Sequence, residues 1–147
     1  MISNYFKEFI STRKAGFYIF CVGALLNVIT LLAYWIGFPT DSALATYYNS
    51  SVPLILLVGT FVAVGLSLCN FTCEFASPVL WLVTLAAFCI NIVSSYLYFT
   101  EVFFAGFSIE SLFSIKVAYF IALLGPLTTL VLSFIGIIKK QRRAKDE

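Results

Sequence analysis

The chain has 147 residues, of which 61% are hydrophobic and only 11% charged. Soluble domains are about 45–50% apolar and about 25% charged, so both numbers place this chain in the membrane class. The net charge of +2 comes without a basic patch interleaved with aromatics outside the membrane flanks, which argues against a nucleic-acid partner. His is absent, which removes the commonest general base and the commonest metal ligand.

Residues 1–14 carry Ile2, Tyr5, Phe6, Phe9 and Ile10 at helical spacing, with Ser3, Asn4, Lys7, Glu8, Ser11 and Thr12 opposite. This predicts a short amphipathic helix, suited to the headgroup plane or to extending the first span. It is not expected to be a signal peptide: the apolar run that follows is longer than a signal-peptide core, and Ala33-Tyr34-Trp35 is not a small-residue cleavage site.

Four apolar runs follow, each long enough to cross a bilayer. The first span is expected over about 15–36, stopped by Gly37-Phe38-Pro39-Thr40. The second runs over about 52–70, with Pro53 near its start, where proline is tolerated. The third is expected over about 78–99, with Ser77 as N-cap and Pro78 in its first turn. In the loop after it, Ser108 is placed to cap a short helix with Glu110 in its first turn. The fourth span covers about 115–138 and ends in the basic tail 139–147.

Lys and Arg placement orients the bundle. Lys7, Arg13 and Lys14 precede the first span, and Lys139, Lys140, Arg142, Arg143 and Lys145 follow the last. Across the membrane only Lys116 is basic, beside the acidic Asp41, Glu101 and Glu110. Both termini are therefore expected in the cytoplasm. Tyr34, Trp35, Tyr47, Tyr48, Tyr96, Tyr98, Phe103 and Phe104 are expected at the outer interface and Trp81 at the inner one.

The spans hold no titratable carboxylate or base at depth, which speaks against proton-coupled pumps and small multidrug exchangers. No catalytic, cofactor-binding or metal-binding residues are identified. Cys69 and Cys73 are spaced C-x-x-x-C on the reducing side and lack a neighbouring base, a poor arrangement for redox catalysis. What the spans do hold is amides, hydroxyls and small residues. Gly59, Ala63 and Ser67 form one stripe; Ala87, Asn91 and Ser95 form another; Asn27 lies mid-span. These serve close helix packing or line a solute pathway. A hydrogen bond between Asn27 and Asn91 is expected, worth about 0.6 kcal/mol. Gly125-Pro126 should bend the fourth span, since Pro126 cannot donate to the Ala122 carbonyl; the bend is either a static kink or a hinge. Asn49-Ser50-Ser51 matches a glycosylation acceptor in an outer loop.

The stretch Tyr96-Leu97-Tyr98-Phe99-Thr100-Glu101-Val102-Phe103-Phe104-Ala105-Gly106, with its four-span frame and basic tail, resembles small uncharacterised membrane proteins of Gram-positive bacteria. The resemblance implies a bacterial plasma membrane and carries no activity. The expected fold is all-α: a polytopic four-helix bundle with both termini inside and an interfacial N-terminal helix. Two function classes fit: a non-enzymatic accessory or interaction subunit that binds a membrane protein or its own copies, or an oligomeric transporter or channel component for a small neutral or cationic solute.

Overall fold

In the computed structural model the described residues are 2–69, 71–104, 109–113 and 116–139; the side chains at 103, 111 and 112, and all of Ser108 and the tail from Lys140, lie outside them. The described residues form helices and no strands. α1 is Ile2–Ser11, α2 runs through Ala15–Thr40, α3 is Ser51–Leu68, α4 is Cys73–Phe104, α5 is Ile109–Phe113 and α6 is Val117–Ile138. α2, α3, α4 and α6 are each long and apolar enough to cross a membrane. A chain in lipid must satisfy its backbone groups internally, which long helices do except where a proline interrupts the ladder.

α3 packs closely on α4, α4 on α6, and α6 on α2; the seam between α2 and α3 is thinner. A Cβ on Gly37 would meet Ala118, and one on Gly136 would lie 3.9 Å from the Gly16 carbonyl oxygen. The start of α2 and the end of α6 therefore share one end of the bundle, and Arg13, Lys14 and Lys139 with them.

The bundle is inside-out in polarity. Large apolar residues face outward, Phe61 at 80% exposure and Val93 at 76%, while Asn27, Thr84, Asn91, Ser95, Thr129 and Ser133 are almost wholly buried. Lipid is as apolar as leucine, so burying leucine gains little here; close packing and interhelical hydrogen bonds hold the helices instead. The buried positions recur at alternating steps of three and four. On α6 they are Tyr119, Ala122, Pro126, Thr129, Ser133 and Gly136. That is the seam of a left-handed bundle.

Two helices differ from their expected bounds. α2 does not stop at Gly37 but continues to Thr40 through a π-turn at Ala33–Gly37. Pro39 has no N–H, and its ring would crowd the preceding turn of a regular helix; the wider π-turn makes room. α4 starts at Cys73 rather than at the Ser77-Pro78 signal, with Pro78 inside the helix. The reason is tertiary: Cys73, Ala76 and Ser77 are all buried, and packing outweighs the local stop. At about 1.5 Å per residue its 32 residues span about 48 Å, well beyond a hydrocarbon core of about 30 Å. α6 passes through Pro126 as one continuous helix.

Glycine sets the closest approaches. A Cβ on Gly125 would overlap the Thr30 hydroxyl, and one on Gly59 would overlap the Val83 methyls, whereas at Gly65 it would meet nothing within 4 Å. Gly125→Ala and Gly59→Ala are each expected to destabilise the bundle by about 1–3 kcal/mol, while Gly65→Ala leaves it unchanged or slightly more stable. Denaturation of the purified protein in mixed micelles checks this; equal effects at the three sites would refute it.

Candidate functional site

The interior of the bundle is a ladder of amides and hydroxyls drawn from all four long helices. At its middle, Asn27 of α2 donates through Nδ2 to Thr84 Oγ1 of α4 at 2.8 Å and, more weakly, to Thr60 Oγ1 of α3 at 3.4 Å. Thr84 passes its own proton to the Leu80 carbonyl at 2.7 Å. The chain of donors thus runs one way, from amide to hydroxyl to backbone, and ties three helices at one level.

Two turns further along α4, Asn91 donates through Nδ2 to the Ala122 carbonyl of α6 at 3.1 Å. This is the carbonyl that Pro126 leaves without an intrahelical donor. A side chain on α4 therefore repairs the backbone of α6. A carbonyl can only accept, so this contact fixes which end of the Asn91 amide faces α6. The expected bond between Asn27 and Asn91 does not form. Asn27 stands level with Thr84, and Asn91 lies seven residues, or about 10 Å, along the axis. Each amide spends its NH2 on a different helix, and the buried Oδ1 atoms of both have no hydrogen-bond partner.

Towards the acidic end, Thr30 donates to the Leu26 carbonyl at 2.9 Å and Ser95 to the Asn91 carbonyl at 2.7 Å. Towards the basic end, Thr129 donates across to the Gly23 carbonyl at 3.4 Å and Ser133 to the Thr129 carbonyl at 2.6 Å. The stripe Gly59, Ala63 and Ser67 faces the bundle, with Ala63 and Ser67 buried and Gly59 against Val83 of α4. Ala87, Asn91 and Ser95 are likewise buried. Sequence reasoning found both stripes but missed Thr30, Thr60, Thr84, Thr129 and Ser133. The signal was present in the spacing: Ser77, Thr84 and Asn91 are seven apart, in step with the seam.

The acidic end is closed by an aromatic lid. Tyr48 stacks on Tyr34 at 5.4 Å, Tyr34 on Phe38 at 4.1 Å, Phe38 meets Tyr119 at 6.4 Å, Tyr119 meets Tyr98 edge-on at 4.8 Å, and Tyr98 meets Tyr47 at 5.9 Å. Such pairs contribute roughly 0.5–1.5 kcal/mol each beyond their buried area. Tyr34 and Tyr98, expected in an interfacial belt, are buried in this lid. The Tyr34 hydroxyl accepts the Asn49 N–H at 2.9 Å, and Asn49 donates through Nδ2 to Ser94 at 3.1 Å. The side-chain nitrogen that a glycan would occupy is thus already engaged. Of the three outer acids, Asp41 pairs with Lys116 at 3.5 Å, Glu101 accepts the Tyr47 hydroxyl at 3.3 Å, and Glu110 sits in the first turn of α5. They do not converge on one point through these contacts.

At the other end, the Arg13 guanidinium lies over the rings of Phe9 and Phe17, at 4.3 and 5.0 Å, and fastens α1 to α2. Cys73 is buried and Cys69 exposed, and neither is in a disulfide. Among the described residues no three His, Cys, Asp or Glu side chains group as metal ligands would.

Asn91→Leu is expected to cost about 1–2 kcal/mol, since it orphans the Ala122 carbonyl. In a Pro126→Ala background position 126 supplies the missing N–H, so the same substitution should cost less than half as much. Unfolding titrations of the four proteins complete this cycle, and equal costs in the two backgrounds would disprove the repair. The Tyr47 phenol is pushed above its ordinary value by partial burial and then by the Glu101 carboxylate. A raised folded value means the neutral phenol is the form the lid holds. Its contribution is complete below about pH 10 and is lost as pH rises through the shifted value. A tyrosinate absorbance titration should show the Tyr47 step above pH 10, missing in Tyr47→Phe. No protein-family model, curated protein or solved structure matches this chain.

Proposed function

We propose that the chain is a non-enzymatic interaction subunit of a membrane complex, embedded in a bacterial plasma membrane with both termini in the cytoplasm. The observation that carries this reading is that most of the donors of the polar interior are spent within the bundle. Asn27, Thr84, Asn91 and Thr129 are buried and direct their protons onto groups of the bundle itself. Apart from Arg13 at the basic end, the buried polar side chains among the described residues are amides and hydroxyls, which neither relay protons nor attack substrates at neutral pH.

The small-residue stripes are used up within the bundle, so a partner has to be met elsewhere. Phe104, Ile109 and Phe113 supply that surface: they are exposed at 81%, 74% and 85% beyond the acidic end, at a helix terminus and on α5. Apolar side chains exposed there, clear of the hydrocarbon, suit a protein partner better than lipid. The orientation rests on the clustering of Lys7, Arg13, Lys14 and Lys139 with the basic tail. The outward apolar face of α1, with Ile2, Tyr5, Phe6 and Ile10 exposed, suits the cytoplasmic headgroup plane.

One observation favours the second reading, a transporter or channel component for a neutral or cationic solute. The buried Oδ1 atoms of Asn27 and Asn91 are acceptors without donors, as a partly dehydrated cation or a polar solute would require. Affinity purification in a gentle detergent separates the two. The subunit reading expects a defined co-purifying membrane protein that is lost in Phe104→Ser or Phe113→Ser; a lone homo-oligomer counts against it. The orientation has its own test. A membrane-impermeant maleimide should label the exposed Cys69 only after permeabilisation, and Ser42→Cys in intact cells.

A further inference from the structure

The thin seam between α2 and α3 is a groove open to the side. It holds a volume of about 490 Å³ lined by Val28 and Leu31 of α2 and Leu57, Val58, Thr60 and Phe61 of α3, among others. A second volume of about 200 Å³, between Trp35, Tyr48, Ser50 and Pro53, adjoins it towards the acidic end; Leu57 lines both. The larger volume falls within the range of small-molecule pockets, about 300–1,000 Å³, and has their make-up: an apolar wall with one placed polar group.

That group is Thr60, near the middle of α3 and only 6% exposed. Its neighbours in the ladder differ from it. Thr30, Thr84, Ser95 and Ser133 each return their proton to a carbonyl of their own helix, and Thr129 gives its proton to Gly23. Thr60 receives the Asn27 amide proton and donates to no described group. With one lone pair of Oγ1 taken up by Asn27 behind it, the hydroxyl keeps a proton for an acceptor that is not part of the bundle. Thr60 is also one of the residues that line the groove.

We propose that this groove binds an uncharged, bilayer-soluble ligand that places one oxygen acceptor, a carbonyl or a hydroxyl, on Thr60 and lays an apolar body along the wall towards Leu57 and Trp35. Depth argues against a phospholipid. Thr60 lies near mid-membrane, about 15 Å from the interface where glycerol esters sit. Wall chemistry argues against a partner helix. Helices in lipid approach through small residues, and here the wall is Val28, Leu57, Val58 and Phe61, while Gly59 and Ala63 already face α4. A long-chain quinone or ketone is the simplest molecule of the required class.

The test uses the full chain in lipid nanodiscs and 2-decyl-1,4-naphthoquinone as the probe. Naphthoquinones quench indole fluorescence on contact, and Trp35 lines the adjoining part of the groove. In a Trp81→Phe background, Trp35 emission should fall saturably with the mole fraction of probe in the bilayer. Thr60→Val should weaken the half-saturation point by about five- to tenfold, the effect of losing one hydrogen bond. Thr60→Ser should keep it within about twofold, and Leu57→Trp, which fills the shared wall, should abolish saturation of the probe-dependent change. A quench that rises linearly in the parent protein means partitioning only and overturns the proposal, as does equal saturation in Thr60→Val and Thr60→Ser. A co-purifying membrane protein that is lost in Leu57→Trp, with no saturable quench in the parent, assigns the groove to a partner helix and equally overturns it.

Discussion

The structure depends on one requirement: in a bilayer, no water repairs a broken backbone hydrogen bond. Pro126 breaks one in the middle of α6, and the Asn91 amide of α4 mends it from the neighbouring helix. The repair is also a constraint on assembly. It holds only if α4 and α6 lie at one rotation and one height, because an amide reaches a single carbonyl. The proline that weakens α6 as an isolated helix thereby specifies how α6 docks.

From that contact the rest of the register follows. With Asn91 at Ala122, the seam of α6 presents Pro126, Thr129 and Ser133 inward, and Thr129 comes level with Gly23 of α2. Gly125 then lets α2 approach until Thr30 fills the space that a side chain would take. α2 at this height brings Asn27 to Thr84 and Thr60. Each step is a small-residue approach or a directed hydrogen bond, the two forces that remain when the surrounding solvent is as apolar as the side chains. Individually these bonds are weak, on the order of 0.6 kcal/mol. Their value lies in direction: apolar faces tolerate sliding, and a donor facing one acceptor does not.

Much of the fold is legible in the chain because the bilayer asks little of it. Four long apolar runs yield four helices. The chain also shows the packing stripes, because Gly59, Ala63 and Ser67, or Ala87, Asn91 and Ser95, recur at helical spacing in an otherwise bulky background. Two errors have a common origin in local rules. Ser77-Pro78 and Gly37-Phe38-Pro39 are good stop signals in isolation, but burial of Cys73 and Ala76 draws α4 past one, and the π-turn carries α2 past the other. The Asn27–Asn91 pairing failed for another reason. Composition shows that two amides are buried; only the relative height of α2 and α4 shows that they are two turns apart. Most of the overlooked hydroxyls, Thr30, Thr84 and Ser133, satisfy themselves on their own helix and so look neutral. Of these, Thr84 lies seven residues from Asn91 on the same helix, and that phase marks it as core.

Thr60 shows what such a ladder leaves over. A hydroxyl at mid-membrane depth is tolerated when its proton has somewhere to go, and Thr30, Thr84, Ser95, Thr129 and Ser133 have each found a carbonyl. Thr60 is held by Asn27 instead, which spends an acceptor site of its oxygen and leaves its proton uncommitted among the described groups, and Thr60 also lines the thin seam. The seam is thin because α2 is drawn to α6 by Gly125 and Thr129, and α3 to α4 by Gly59 and Ala63; among the described residues no comparable close approach draws α2 to α3. The same contacts that fix the register thus open a groove on the side they neglect. They also place at its base a core hydroxyl whose proton no described group of the bundle takes.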